Sequence, residues 1–213
     1  HDYYRINRML SNVTLIRSIN DGSLFFVTRP TDLAALLAQL TDTVNLISDG
    51  PRVVYSGPEE LTVSIDPALA ENLVLNLISN SLTHAAGCTR VSLRLIEDHE
   101  RVVISVNDDG FGIAPEKLHF VFDRYRHGFG ISDIDHGAGL GLTAALAIAN
   151  LHGGTLLLES REEAGTTVRA SFSRNPVPSQ QLYAAQEEPE RGMRTLLTGL
   201  ADCLPDRCFG ERY

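Results

Sequence analysis

The chain has 213 residues, with 27 Asp or Glu against 18 Lys or Arg and a formal net charge of −9. This acidity excludes a nucleic-acid partner bound through broad neutralisation of its phosphates, because such a surface needs clustered positive charge. Lys117 is the only lysine, and no Gly-Lys-Ser/Thr sequence is present, so a P-loop is excluded as well. No stretch reaches the roughly 18 to 20 apolar residues of a membrane span, and we expect no membrane contact by this chain.

The first predicted element is a helix over residues 3–20. Its apolar side chains recur at alternating spacings of three and four, which indicates a face that packs against another helix. These side chains are Ile6, Met9, Val13 and Ile16. An Asp-Gly pair ends this helix, and an extended piece at residues 24–27 leads to a second helix with Thr31 or Asp32 as its N-cap.

Strand and helix patterns then alternate as far as residue 172. The predicted strands are 52–55, 61–65, 89–96, 101–106, 155–159 and 166–172, and the predicted helices are 67–86 and 142–151. After residue 175 the composition shifts to Gln and Glu, which predicts a linker before a short amphipathic helix at 193–204. The leucine face of that helix, with Leu196, Leu197 and Leu200, packs on the domain or on a partner, or the tail is a mobile extension.

Four polar side chains recur at every fourth residue of the helix 67–86. They are Asn72, Asn76, Asn80 and His84. Residues four apart share a helix face, so this spacing predicts one polar stripe beside the apolar one. Because asparagine is a mediocre helix former, the stripe needs a reason, which is either a solvated surface or a site.

Two glycine-containing motifs are candidates for ligand binding. The sequence DDGFG, beginning at Asp108, follows a predicted strand. It is either an ordinary turn or a buried carboxylate that accepts from an exocyclic amine, with glycines that let the backbone approach a flat ring. Gly137, Gly139 and Gly141 precede a helix, where free N–H groups and the positive end of the helix dipole favour a phosphate.

The order of these motifs carries a family resemblance. ENLVLNLISNSLTHA resembles an N box, DDGFGI a G1 box, FVFDRYR an F box, GAGLGL a G2 box and GTT a last glycine motif. These segments begin at Glu71, Asp108, Phe120, Gly137 and Gly165. In this order they resemble the ATP-binding catalytic domain of sensor histidine kinases, in the superfamily shared with gyrase and the mismatch-repair ATPases. The resemblance covers residues 51–172.

The resemblance implies a two-layer α/β sandwich of the Bergerat type with a mixed, mainly antiparallel sheet, preceded by a helix from a dimerisation hairpin. It divides the chain into residues 1–22, the second helix of the dimerisation and phosphoacceptor hairpin; residues 23–174, the catalytic ATP-binding domain; and residues 175–213, a linker and short helical extension. The implied activity is transfer of the γ-phosphoryl group of ATP to a histidine outside this chain. Relay to the receiver domain of a response regulator would follow.

Site residues are implied by their positions in the matching motifs. Asn80 is implied to bind Mg²⁺ through its amide oxygen, which is the hard donor that this ion prefers, and Asp108 to accept from the adenine amine. Asn76, together with Arg124 or Arg126, is implied to act on the transferred phosphoryl group. The implied nucleotide contacts are Asn76, Asn80, His84, Asp108, Gly110, Gly112, Ile113, Gly137, Gly139, Leu140, Gly141, Leu142 and Thr166.

Two positions depart from the family pattern. Thr83 stands where the family commonly has a phosphate-contacting lysine, three residues after the metal-binding asparagine. The F box is one residue tighter than usual, so its register stays open between Arg124 and Arg126. His1 lies too near Gly22 to occupy the opposite helix of the hairpin as the phosphoacceptor.

We therefore expect the chain to begin inside the hairpin of a longer, membrane-associated sensor that dimerises, and to lie in the cytoplasm. Two other functions stay open. One is a nucleotide-hydrolysing or serine-phosphorylating relative, which typically has a glutamate base where this chain has Asn76, a side chain that cannot take a proton at neutral pH. The other is a non-catalytic interaction module, suggested by Thr83 and the unusual tail.

Overall fold

The computed structural model describes residues 2–116, 140–175, 197–204 and 208. Its helices are α1 (Asp2–Asn20), α2 (Leu33–Ile47), α3 (Pro67–His84) and α4 (Leu140–Leu151). Its strands are β1 (Arg29–Asp32), β2 (Arg52–Ser56), β3 (Thr62–Ile65), β4 (Arg90–Glu97), β5 (Arg101–Asp108), β6 (Leu156–Ser160) and β7 (Thr166–Ser173). Among the helices of these ranges, none is both long and apolar enough to cross a membrane.

Five strands form one sheet in the order β2-β4-β5-β7-β6, while β1 and β3 form a separate antiparallel pair. β2 runs parallel to β4, and the other neighbouring pairs of the large sheet are antiparallel. The prediction of a mixed, mainly antiparallel sheet is therefore confirmed.

One face of the large sheet is apolar and is covered by α2, α3 and α4. In the central strands apolar side chains alternate with polar ones, and the register places Val106 between Leu93 and Val168. These three side chains are buried in the core that the helices share. The opposite face carries Arg94 and Arg169 in one register row. The predicted two-layer sandwich is thus confirmed, because alternation leaves only one face of this sheet to bury.

Aspartate caps begin two of the helices. Asp32 Oδ1 accepts a hydrogen bond from Ala35 N at 3.1 Å, so Asp32 rather than Thr31 caps α2. Asp66 caps α3 in the same way, and Pro67 occupies the first helical position, where its missing N–H costs nothing.

The predicted extended piece at residues 24–27 precedes β1, which begins at Arg29 and pairs with β3. Within this piece Phe26 forms an isolated β-bridge. Val27 N donates to Asp66 Oδ2 at 3.3 Å, and the Phe26 ring is buried with its centroid 5.1 Å from that of His152. A helix cap and an aromatic contact therefore hold this segment against the domain.

Residues 197–204 pack on the domain. Leu197, Leu200 and Leu204 are buried in the same core as the sheet and the helices. Gly199 approaches α3 so closely that a Cβ there would lie 2.8 Å from Leu75 Cδ1. Of the alternatives predicted for the tail, packing on the domain is the one found for these residues. Leu196 lies outside the described residues.

α1 lies along α4 and uses a different face from the predicted one. Tyr4 and Leu15 contact the core, and Asn12 between them is buried. The predicted apolar face points largely away from the domain, since Ile6 is 56% exposed and Val13 is 42% exposed. We refer to the exposed apolar side chains of α1 as the α1 stripe. It consists of Tyr3, Ile6, Leu10 and Val13.

Candidate nucleotide-binding site

Asp108 ends β5 between Val91 of β4 and Thr166 of β7. Its side chain is only 3% exposed. Oδ1 accepts hydrogen bonds from Gly110 N and Thr166 N, both at 3.2 Å, and Oδ2 accepts one from the Ser81 hydroxyl at 3.2 Å. An ionised carboxylate offers about four acceptor sites. Asp108 can therefore accept a further hydrogen bond, and Oδ2 has the spare capacity.

The pKa values of Asp108 and its neighbour Asp109 are shifted in opposite directions. Burial raises the pKa of Asp108, while hydrogen bonds from Gly110, Thr166 and Ser81 work against this rise. The Asp109 carboxylate is exposed, and the Thr89 hydroxyl and nearby backbone N–H groups hold its pKa well below the usual range. Asp108 is thus the buried acceptor, whereas Asp109 fastens the loop to the start of β4.

The loop after β5 is locked to the turn between β6 and β7. Gly112 and Gly165 adopt φ values of 69° and 80°, a conformation that favours glycine. A Cβ on Gly112 would overlap the carbonyl oxygen of Arg161, and a Cβ on Gly165 would overlap that of Asp108. Close backbone packing therefore requires these two glycines whether or not a ligand is bound.

A second group of predicted residues lines a cavity between α1, α3, the first turn of α4 and residues 197–204. We call it the α3 cavity. It is lined by Arg8, Asn12, Asn76, Ser79, Asn80, Thr83, His84, Leu140, Gly141 and Asp202, and its volume is about 30 Å³. That volume admits one or two water molecules. α4 begins at Leu140, two residues earlier than predicted, which places Leu140 and Gly141 in its first turn, the end of a helix that favours an anion.

Asn76 is the centre of a hydrogen-bond network in the wall of this cavity. Its Nδ2 donates to Asn72 Oδ1 at 2.8 Å, and its Oδ1 accepts from Asn12 Nδ2 at 3.3 Å and from Arg8 Nη2 at 3.4 Å. The residue is 3% exposed. A solvated surface, one of the two explanations for the asparagine stripe, is therefore wrong at Asn76.

Arg8 carries the positive charge of the cavity wall. Its side chain is 12% exposed and forms an ion pair with Asp202. Burial lowers the pKa of Arg8, and the charge of Asp202 opposes this. The Nε atom of Arg8 is buried and has no hydrogen-bond partner among the described residues. An anion at this point would supply the acceptor that Nε lacks.

The predicted site residues fall into two groups joined by α3. Asn80 lines the α3 cavity, and the next residue, Ser81, hydrogen-bonds to Asp108. At the Asp108 end, Ile113 N donates to Ser160 Oγ at 2.9 Å. Leu142 packs in the hydrophobic core and is not among the cavity-lining residues. Four predicted residues lie outside the described residues, namely Arg124, Arg126, Gly137 and Gly139.

Several residues of the two groups were not predicted. Ser81 could have been found as a hydroxyl residue directly after Asn80 in a mostly apolar stretch. Arg8 and Asn12 share the spacing of four that defines the asparagine stripe, so they also had a sequence signal. Asp202 had none, because its position depends on how the tail packs on α3.

Mg²⁺ fits this site only if the phosphates of a bound substrate supply some of its coordinating oxygens. The described residues contain no cluster of three or more His, Cys, Asp or Glu side chains that could hold a metal. Mg²⁺ typically keeps several waters and shares one or two protein ligands with substrate phosphates. Asn80, half-buried in the wall of the α3 cavity, can supply one such oxygen.

Comparison with known families gives a match that spans most of the candidate site. Residues 65–176 match the model of the family described as histidine kinase-, DNA gyrase B-, and HSP90-like ATPase. The match spans more than half of the chain and includes α3, the Asp108 loop, α4 and β7. The chain belongs to this ATPase family.

Individual relatives are histidine protein kinases. The chain is 30% identical over 174 residues to signal transduction histidine-protein kinase AfsQ2 of Streptomyces coelicolor, an alignment that covers 82% of this chain and 32% of the relative. It is 37% identical over 132 residues to histidine protein kinase DivJ of Caulobacter vibrioides, covering 62% of this chain and 22% of the relative. The chain thus spans about a third or less of these relatives.

A solved structure with a similar fold is the ATP-binding domain of PrrB from Mycobacterium tuberculosis. The TM-score is 0.56 at 26% sequence identity, and the match covers 70% of this chain and 98% of that chain. Nearly the whole of that ATP-binding domain therefore has a counterpart here.

Proposed function

We propose that this chain binds Mg·ATP and is the catalytic part of a protein histidine kinase, which transfers the γ-phosphoryl group to a histidine outside the chain. The observation that carries the proposal is Asp108, a buried carboxylate with a free acceptor site, in a chain of this ATPase family. The adenine amine is the donor that Asp108 would accept. Bound Mg²⁺ would neutralise phosphate charge.

The α3 cavity is the proposed phosphate end of the site. Asn80 would hold the metal, and Asn76 and the first turn of α4 would face the phosphates. Either Arg124 or Arg126 would stabilise the charge that develops during transfer, because positioning and electrostatics supply most of phosphoryl-transfer catalysis. Gly137 and Gly139 would let the backbone close over the triphosphate.

The α1 stripe supports a hairpin partner. Its four apolar side chains are exposed, at the alternating spacing that one helix presents to another. We propose that the first hairpin helix, outside this chain, covers the stripe, and that the hairpin dimerises and carries the phosphoacceptor histidine. The receiver domain of a response regulator would then take the phosphoryl group. The kinase region would lie in the cytoplasm.

Nucleotide binding tests the adenine assignment. Titration calorimetry with ATP and Mg²⁺ should show binding to the unmodified chain and a loss of about 10- to 100-fold in affinity for Asp108→Asn, since one charge-assisted acceptor is removed. Asp109→Asn is the matched control and should leave affinity unchanged, because Asp109 serves the Thr89 turn. Equal losses in the two variants would contradict the assignment.

Phosphoryl transfer tests the kinase proposal. The chain is mixed with a histidine-containing hairpin of the longer parent protein and with ATP labelled on the γ-phosphate. We expect an acid-labile label on the hairpin. Steady ATP hydrolysis without a labelled hairpin would favour the hydrolytic relative, and nucleotide binding without either activity would favour the interaction module.

A further inference from the structure

The α3 cavity contains a charged group that none of the matching motifs includes. Arg8 belongs to α1, more than sixty residues before Asn76, yet its Nη2 lies 3.4 Å from Asn76 Oδ1. It also lies beside the first turn of α4, because a Cβ on Gly141 would be 3.5 Å from Arg8 Nη2. The guanidinium is therefore placed between the two elements that form the proposed phosphate end.

Charge balance at the proposed phosphate end of the site also points to Arg8. A triphosphate brings several negative charges, and Thr83 contributes none of the opposite sign. Among the described residues that line the cavity, Arg8 is the only arginine or lysine. A guanidinium is always charged and presents five donors in a fork that matches phosphate oxygens. Arg8 Nε is the donor that still lacks an acceptor in the described structure.

We propose that Arg8 is a phosphate ligand of the bound nucleotide, and that Asp202 holds its guanidinium in place until the nucleotide replaces that carboxylate. The proposal rests on the proposed function, because it requires ATP to bind with its phosphates in the α3 cavity. The cationic phosphate contact that the family commonly makes with a lysine at the position of Thr83 would then come from Arg8 on α1.

The ion pair also predicts that Asp202 and a bound phosphate compete for the Arg8 guanidinium. Asp202 lines the same cavity and holds one of the Arg8 Nη atoms, so a phosphate that binds Arg8 must take over that partner and approach a carboxylate. We therefore expect the pair to separate when nucleotide enters. Removing the charge of Asp202 should strengthen ATP binding, whereas removing the charge of Arg8 should weaken it.

The decisive comparison is Asp202→Asn against the double variant Arg8→Gln/Asp202→Asn, with the complete chain and Mg²⁺ in calorimetric titrations. Asp202→Asn leaves the mostly buried Arg8 guanidinium without its carboxylate, whereas the double variant removes both charges, so each variant must first retain adenosine binding as evidence that it is folded. We expect Asp202→Asn to bind ATP severalfold more tightly than the unmodified chain. The double variant should bind ATP about 10- to 100-fold more weakly than Asp202→Asn.

Adenosine and one surface arginine provide the controls. Adenosine lacks phosphates, so its affinity should be the same for the unmodified chain and both variants. Arg17→Gln, which changes an exposed arginine on the same helix, should leave ATP affinity unchanged. Arg8→Lys in the Asp202→Asn background should give an intermediate affinity, because the charge remains and the fork is lost.

Two results would overturn the proposal in different ways. Equal ATP affinity for Asp202→Asn and the double variant, with adenosine still bound, would remove Arg8 from the phosphate site and leave the proposed function intact. Failure of the unmodified chain to bind either ATP or adenosine would instead refute the proposed function, and the role of Arg8 with it.

Discussion

At the residue scale, the backbone of Gly165 packs directly against the backbone of Asp108. Its φ is 80°, and a Cβ would overlap the Asp108 carbonyl oxygen. Gly165→Ala should therefore lower the free energy of unfolding by about 3 kcal/mol or more, because steric overlap adds to about 1–2 kcal/mol of left-handed strain.

Gly22→Ala is the control for that substitution. Gly22 also has a positive φ, of 67°, but a Cβ there would meet no atom within 4 Å. It should cost only the conformational strain, about 1–2 kcal/mol. Urea unfolding measures both variants. Equal costs would show that the contact with Asp108 is unimportant.

The buried His152 should make the free energy of unfolding depend on pH. The ring is buried, its Nε2 accepts from Asp66 N at 3.0 Å, and its Nδ1 lies 2.8 Å from Ile148 O, so the neutral ring with hydrogen on Nδ1 satisfies both contacts. Burial lowers the pKa of His152. Below about pH 6.5 the unfolded chain takes up a proton that the folded chain does not, so stability should fall as pH decreases.

The measurement compares unfolding in urea at pH 7.5 and at pH 5.5. His152→Gln keeps an acceptor but cannot titrate, so its stability should fall less over this interval than that of the unmodified chain. Asp108 has a raised pKa and contributes the opposite slope, yet it is present in both proteins and cancels in the comparison. A parallel pH dependence in the two proteins would contradict the role of His152.

Single residues were predictable where a local motif surrounds them. Asp108 ends a strand and precedes two glycines, and one of its hydrogen-bond donors, Gly110 N, lies only two residues away. Arg8 and Asp202 are 194 positions apart, and their contact depends on how α1 and residues 197–204 pack on α3. No local pattern contains that information.

At the element scale, α3 carries both ends of the site, with Asn76 and Asn80 at the cavity and Ser81 at Asp108. Its start is fixed by Asp66, whose Oδ1 accepts from Ala68 N and Leu69 N. We predict that Asp66→Ala lowers the free energy of unfolding by about 1–2 kcal/mol, as expected for loss of an N-cap.

Asp66→Asn is the matched control for the cap. It keeps an acceptor at the same place and should cost much less, because Asn and Asp are comparable N-cap residues. Guanidinium unfolding followed by circular dichroism would measure both variants. An Asp66→Asn variant as unstable as Asp66→Ala would mean that charge, rather than capping, stabilises this helix start.

The sequence predicted where the helices form better than it predicted which face of each helix packs on the domain. Asp32 and Asp66 mark the starts of α2 and α3, since capping is a local interaction. For α1 the apolar spacing predicted a packing face, but the face toward the domain contains Arg8 and Asn12. Buried polar partners on α3 favour that orientation, and a hydrophobic pattern cannot report them.

At the scale of the whole molecule, α1 and residues 197–204 contact the same helix although they are far apart in sequence. α1 lies beside α4 and reaches Asn76, and residues 197–204 pack on Leu75 of α3. The family resemblance ends at residue 172, so the contribution of the tail to the core could not be predicted from it. Leu197, Leu200 and Leu204 nevertheless belong to the core of the domain.

The tail should therefore contribute to the cooperative stability of the domain. Leu200 is fully buried, and Leu200→Ala should lower the free energy of unfolding by about 2–5 kcal/mol, the cost of a cavity in a packed core. Leu157→Ala in β6, where the side chain is 57% exposed, is the control and should stay within about 0.5 kcal/mol. Urea unfolding should show one transition that shifts as a whole, since the leucines of the tail share the core of the sheet. If Leu200→Ala leaves that transition in place, the tail is an independent unit, and Asp202 would then not be held at Arg8 by the fold of the domain.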